Sequence, residues 1–194
     1  MLAIAVASVL ASQAEVRSAP GTRLASKTGS ERILGAPIYG EAEVERHTRP
    51  VGCTRYITKT IPLYYRLAPR RDIRPDVLVA QAILETGKGH YGGDSRPWNM
   101  AGIKQGGAVG DGPSDFEVPK TPRADARMHV NHMVAYTGKK PIGKPHDRFY
   151  DARVAQESRE WWVRRVSQLG NGVWATDSHY AGKIRRILNA METR

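Results

Sequence analysis

Residues 74–89 read Arg-Pro-Asp-Val-Leu-Val-Ala-Gln-Ala-Ile-Leu-Glu-Thr-Gly-Lys-Gly, and between Asp76 and Lys88 the run holds a single ionisable side chain, Glu85. Pro75 suits the first turn of a helix, where its missing N–H costs nothing. Gly87 suits the left-handed residue just past a helix end. Val77, Leu78, Ala80, Ala82, Ile83 and Leu84 leave little polar face, so the run predicts a largely buried helix. Glu85 then sits at its C-terminal end. Desolvation and the negative end of the helix dipole both disfavour the charged carboxylate there, which is what a proton donor near neutral pH requires. A glutamate in a last turn equally well points to water or pairs with Lys88, so the helix alone leaves both readings open.

The chain has 194 residues, enough for one domain with a core plus an extension. Lys and Arg number 30 against 19 Asp and Glu, a formal charge of +11, and the sequence pI is about 10.0. Residues 1–50 carry only +1 of this, so residues 51–194 hold +10. A basic folded body favours polyanions: nucleic acid, anionic headgroups or an acidic wall polymer. Cys53 is the sole cysteine, which excludes an internal disulfide and a cysteine metal cluster; it reads as a small packed residue. The apolar run to Ala11 is too short to span a bilayer. It fits a signal-peptide core, with Val9-Leu-Ala11 or Ser12-Gln-Ala14 as the small-residue cleavage pattern, although no basic leader precedes it. Export, with a signal peptide over residues 1–14, is the expectation adopted.

Residues 15–50 lack periodicity and read as a linker or loosely ordered extension. Residues 51–194 read as the folded domain. Helices are expected over 54–67, bent or interrupted at Pro62, then at the Glu85 run, over 121–136, over 152–169 with Trp161 and Trp162 mid-helix, and after Asp177. Residues 87–120, rich in Gly, Pro and Asp, predict loops with short strands. That order describes a helical lobe, a groove and a small β lobe.

An acid at a helix end beside a glycine-rich segment suits protonation of a leaving group, as in glycosidic cleavage. A second carboxylate is commonly needed, and Asp111, Asp115 and Glu117 are the nearest by sequence; each alone reads as a solvated loop acid. His129 and His132, with Asp125, lack the His-Glu-x-x-His pattern and a third strong ligand, so a packed or groove-lining histidine stripe is expected and no metal. The glycines from Gly102 to Gly112 match no nucleotide-binding pattern. Trp98 is either a sugar platform or a packing plug. No nucleophile elbow or Cys–His pairing is evident.

Three motifs, Ala80-Gln-Ala-Ile-Leu-Glu-Thr-Gly-Lys-Gly89, Trp98-Asn-Met-Ala-Gly-Ile-Lys104 and Trp174-Ala-Thr-Asp-Ser-His-Tyr-Ala-Gly-Lys183, resemble the bacterial glucosaminidase domain of peptidoglycan hydrolases, glycoside hydrolase family 73. They occur in the family's order across residues 54–191. The resemblance implies an α+β, lysozyme-like fold, a mostly helical lobe and a small β-hairpin lobe with a groove between them. It implies hydrolysis of the β-1,4 bond after N-acetylglucosamine in peptidoglycan, without a cofactor or metal. Glu85 maps onto the family's general acid, Tyr180 onto its groove tyrosine, and Asn99, Gly102, Ile103 and Lys104 onto its groove element, beside Trp98. Thr86 replaces the usual Ser, and Lys88 stands where an aromatic residue is usual. The second catalytic group stays open among Asp115, Glu117, Tyr180 and the substrate's acetamido group.

The expectation is therefore a secreted or wall-associated monomer acting on peptidoglycan glycan strands, with anionic wall polymers as further partners and no membrane span. Rival readings are a lytic transglycosylase, a wall-binding module without catalysis, and a basic nucleic-acid-binding protein, the last unsupported by any nucleic-acid motif.

Overall fold

The computed structural model describes residues 32–91 and 98–192. The expected signal peptide and residues 15–31 of the expected linker lie outside the described residues. Six helices of eight residues or more are described: α1 (Glu41–Thr48), α2 (Arg55–Leu67), α3 (Pro75–Glu85), α4 (Pro122–Thr137), α5 (Arg148–Glu157) and α6 (Tyr180–Glu192). Helix α2 packs on α1, α3 and α4, α3 packs on α6, and α4 on α5.

Helix α3 is the centre of the core. Every residue from Pro75 to Ile83 is buried, as a helix apolar on all sides but for Asp76 and Gln81 requires. It ends in a tight cap: Gly87 and Lys88 are both left-handed, and the Lys88 N–H donates to the Ile83 carbonyl at 2.8 Å. The Thr86 hydroxyl ties back to the Ala82 carbonyl at 2.6 Å. Glu85 is thereby held in the last turn with its direction set by the backbone.

Helix α2 runs through Pro62 without the interruption that is one of the two expectations there. Pro62 lies on the exposed face, where solvent takes the carbonyl that loses its partner. Helix α4 starts where expected: the Thr121 hydroxyl accepts from the Ala124 N–H at 3.1 Å and Pro122 occupies the first turn. It stops at Gly138, whose φ of +77° and close approach to the Trp162 ring, 2.7 Å from where a Cβ would stand, both demand glycine.

Three further expectations are corrected. The helix expected over 152–169 lies at Arg148–Glu157 instead. Glu160, at φ +60°, turns the chain out of the helix, and Trp161 and Trp162 lie on the segment beyond. Val163 then hydrogen-bonds to the end of α4 (N–H to the Tyr136 carbonyl, 3.0 Å), and a short turn at Val166–Gln168 follows. The apolar residues Val163, Val166 and Leu169 are fully buried from this non-helical path.

Second, the linker expected up to residue 50 is packed from Arg32 onward. Ile33, Tyr39 and Val44 are fully buried. Arg74 donates to the Arg32 carbonyl at 2.8 Å, and the Asp76 carboxylate accepts the N–H groups of Ile38 and Tyr39 at 3.1 and 3.4 Å. Third, the β-hairpin lobe reduces, among the described residues, to one antiparallel bridge between Lys104 and Phe116. Flanking bonds run from the Gln105 N–H to the Asp115 carbonyl (2.7 Å) and from the Glu117 N–H to the Ile103 carbonyl (2.9 Å). Glycine and proline density in 105–119 shortens the pairing to that one rung.

Asp125, fully buried at the start of α4, accepts the Met100 N–H at 3.1 Å and anchors this loop to the helical body. Its burial pushes the carboxyl well above the ordinary aspartate range. The unfolded chain releases this proton near pH 3.9 and the folded chain much later, so the contribution is complete below the unfolded value and is lost as pH rises toward the folded one. Asp125→Asn keeps the Met100 contact and removes the titration. The stability difference between the variant and the parent, read from urea unfolding at steps between about pH 4 and pH 8, is expected to grow in the variant's favour with pH. A constant difference would refute this.

Candidate active site

Glu85 sits half-buried at the C-terminus of α3, and two donors converge on one of its oxygens. The Tyr180 hydroxyl donates to Oε1 at 2.5 Å, and the Trp174 indole N–H donates to the same atom at 3.2 Å. Desolvation raises the carboxyl's pKa; the two hydrogen bonds and the charge of Lys183 oppose the rise without cancelling it. Tyr180, 4% exposed, has its own pKa pushed well up by burial and by Glu85, so it remains a donor. Lys183 is itself paired with Asp177 at 2.6 Å.

Behind Tyr180 the polar contacts continue inward. The Gln81 amide donates to the Tyr180 hydroxyl oxygen (3.1 Å), the Gln81 carbonyl oxygen lies 3.3 Å from His129 Nε2, and His129 Nδ1 lies 2.8 Å from the Tyr64 hydroxyl. Burial lowers the His129 pKa to about 3, so its ring is neutral. Both ring nitrogens of His129 are engaged in these bonds, and Asp125 faces Met100 rather than the histidines.

Trp174 connects the acid to open space. Its ring packs against His129, His132 and Tyr136 with centroids 5.0–5.6 Å apart. It also lines a cavity of about 280 Å³ together with Gly102, Lys104, His132, Tyr136 and Arg148. One wall of this cavity is the loop 101–104, the other is α4. Apolar rings beside cationic side chains make a surface able to take sugar faces and hydroxyls.

The structure therefore gathers Glu85 and Tyr180, with Trp174 between the acid and the cavity that Gly102, Ile103 and Lys104 line. Lys104 also pairs with Asp111 at 2.7 Å. Other expected site residues are placed differently. Asn99, 1% exposed, spends its side-chain amide on the Ile103 and Glu117 carbonyls (2.8 and 3.0 Å) and its oxygen on the Ile103 N–H (2.9 Å). It shapes the loop from inside. Trp98, half-buried, packs edge-on against Tyr56 with centroids 4.8 Å apart. Asp115 caps its own turn, its carboxylate accepting the Gly112 N–H at 2.8 Å. Glu117 lines a second cavity of about 210 Å³, with Arg127, Met128, Lys144 and His146. Burial first, then Asp147, raises its carboxyl.

Trp174, Tyr136 and Gln81 carry no assigned role in the sequence reading, whereas His132 belongs to the expected packed or groove-lining histidine stripe. Gln81 had a signal: it is the one amide in an otherwise apolar stretch of α3. Trp174 opens the third motif, directly before the residues that lead to Tyr180.

The family model for glucosaminidases, described as mannosyl-glycoprotein endo-beta-N-acetylglucosaminidase, matches residues 61–193. Among curated proteins the chain is 27% identical over 179 residues to the peptidoglycan hydrolase FlgJ of Pseudomonas aeruginosa, covering 85% of this chain and 42% of that protein. The chain thus spans less than half the length of that relative. No solved structure matches significantly. Among the described residues no helix is long and apolar enough to cross a membrane.

Proposed function

The chain belongs to the glucosaminidase family, and from that premise we propose that it is a peptidoglycan hydrolase cleaving the β-1,4 bond after N-acetylglucosamine, with Glu85 as general acid. The observation that carries the assignment is the state of Glu85: desolvated, with a raised pKa, and with both donors on Oε1. A carboxyl of that kind holds its proton on the remaining oxygen and can pass it to a glycosidic oxygen. Once the proton has left, Tyr180 and Trp174 stabilise the carboxylate that remains.

In this reading the glycan strand lies in the cavity beside Trp174, against Tyr136 and His132, with Lys104 and Arg148 at its edge. Of the two loop acids Asp115 and Glu117, Glu117, which lines the second cavity, is the one proposed to activate a water; Asp115, occupied by its own turn, drops behind it. The substrate's acetamido group is the alternative nucleophile, and Tyr180 then serves by holding the acid. The basic surface suits a wall whose stem peptides and polymers carry negative charge, and the reading places the protein at the cell wall.

The test is digestion of purified sacculi followed by mass spectrometry of the released fragments. Reducing N-acetylglucosamine ends support the proposal. Reducing N-acetylmuramic ends, or 1,6-anhydro products, would replace it with a muramidase or a lytic transglycosylase. Co-sedimentation with sacculi but no release would leave only a binding module.

A further inference from the structure

The polar chain behind Tyr180 has a direction. Trp174 has only a donor to offer, so one lone pair of Glu85 Oε1 is taken. Tyr180 has one proton, and at 2.5 Å that proton points to the same Oε1. The Tyr180 oxygen must then accept from behind, and the Gln81 amide nitrogen stands there at 3.1 Å. With its nitrogen so placed, Gln81 turns its oxygen to His129 Nε2, which must carry the imidazole proton. A neutral imidazole with its proton on Nε2 has a bare Nδ1, and the Tyr64 hydroxyl supplies the matching proton at 2.8 Å. Each assignment forces the next, across four helices: Tyr64 on α2, His129 on α4, Gln81 on α3 and Tyr180 on α6. Tyr64, His129 and Gln81 are fully buried, so no water competes for these groups.

We infer that Gln81 and His129 are positioning residues for the acid: His129 locks the Gln81 amide, and Gln81 locks Tyr180 so that its hydroxyl donates only to Glu85 Oε1, leaving Oε2 as the sole seat of the transferable proton. Were the Gln81 amide reversed, its oxygen would face the Tyr180 hydroxyl and draw that proton away from Glu85. His129 opposes the reversal as long as its proton stays on Nε2, the tautomer favoured by a Tyr64 hydroxyl donating to Nδ1, because the reversed amide would set an N–H against that N–H. The residues act through Tyr180 and touch no substrate.

The inference rests on Glu85 being the acid, but its signature is the titration of one carboxyl and is read without substrate. The charged and titratable groups facing that carboxyl are Tyr180 and Lys183 from α6, and Tyr136 from α4 faces Tyr180. His146, next in the sequence to α5, and Tyr64 face His129. His146 has its pKa lowered to about 4, so it adds no charge above that pH.

The experiment is carbon-13 NMR of the protein labelled at glutamate carboxyls, with the Glu85 signal identified by its loss in Glu85→Gln. His129→Leu frees the Gln81 amide, takes a donor from the Glu85 carboxylate, and is expected to move the Glu85 titration to higher pH. His129→Gln, which returns an N–H toward Gln81, is expected to move it back. Tyr180→Phe should produce the same upward displacement, and the His129→Leu/Tyr180→Phe double variant nothing further. On sacculi, kcat of His129→Leu should fall about ten- to a hundredfold, the worth of a hydrogen bond to a charged group, with KM little changed. The alkaline limb of its kcat/KM profile should follow the Glu85 titration upward. Gln81→Met, close in volume and without the amide, is the parallel variant should His129→Leu fail to fold.

A Glu85 titration that stays where the parent has it in a folded His129→Leu or Gln81→Met variant overturns the inference, however much stability is lost. If the parent releases no glycan fragments, it is the assignment of function that fails, and the titrations still decide the role of Gln81 and His129.

Discussion

Glu85→Gln should abolish glycan release from sacculi while the fold stays intact. The substituted amide keeps an oxygen where Oε1 stands, so it can still accept from Tyr180 and Trp174, whose donors lie 2.5 and 3.2 Å away. What it loses is the proton. General acid catalysis contributes roughly a hundred- to ten-thousandfold, and kcat should fall by that factor with KM nearly unchanged. The melting temperature should hold or rise, because a desolvated carboxyl is replaced by a neutral group of the same shape. Fragment release by the variant at the parent's rate would remove Glu85 from the mechanism. Loss of activity together with loss of near-ultraviolet circular dichroism would mean only that the site had unfolded.

The largest effect on stability is expected at Asp76. Its side chain is fully buried, and Arg74, 1% exposed, donates to it at 2.6 and 3.1 Å through two nitrogens. The same carboxylate accepts the N–H groups of Ile38, Tyr39 and Val77. One side chain thus neutralises a buried guanidinium and moors the segment that leads into α1. Asp76→Ala takes this carboxylate from a buried guanidinium and from three backbone N–H groups and should cost about 3–5 kcal/mol in urea unfolding. Amide exchange should accelerate first at residues 33–40. A loss below about 1 kcal/mol would show that water replaces the carboxylate at little cost.

These two sites differ in how far they could be read beforehand. The Glu85 helix was legible because its evidence is local. An apolar run, a proline at one end, a glycine at the other and one lone acid are all encoded within residues 74–89, and the structure places α3 at Pro75–Glu85. The start of α4 was legible for the same reason, from Thr121 and Pro122.

The mooring at Asp76 was not. It depends on residues 37 and 38 positions earlier in the chain, and nothing in the polar, aperiodic stretch up to residue 50 announces that Ile33 and Tyr39 will be buried. The segment 158–169 misled in the opposite way. Trp162, Val166 and Leu169 fall at helical spacing, but a left-handed Glu160 and pairing with residues 32–33 set a path that spacing cannot report.

The candidate site divides along the same line. Tyr180 came from a motif and stands on Glu85. Asn99 came from a motif as well, but its amide is turned inward, since a motif records that a residue type is needed and not which way it points. Which of the loop acids could stand as a second carboxylate was illegible because such acids look alike in sequence. Only the folded chain shows Asp115 absorbed by its own turn and Glu117 left lining a cavity.

His129, His132 and His146 stand close to this site, and burial keeps all three from taking up protons near neutrality: His129 falls to about 3, His146 to about 4, and His132 well below its ordinary value. Mild acidification therefore adds no positive charge from these three rings. As the solution becomes more acid, the raised Glu85 and Glu117 carboxyls take up protons before the rings of His129 and His146 do. The site meets acid with its carboxyls first and its buried imidazoles last.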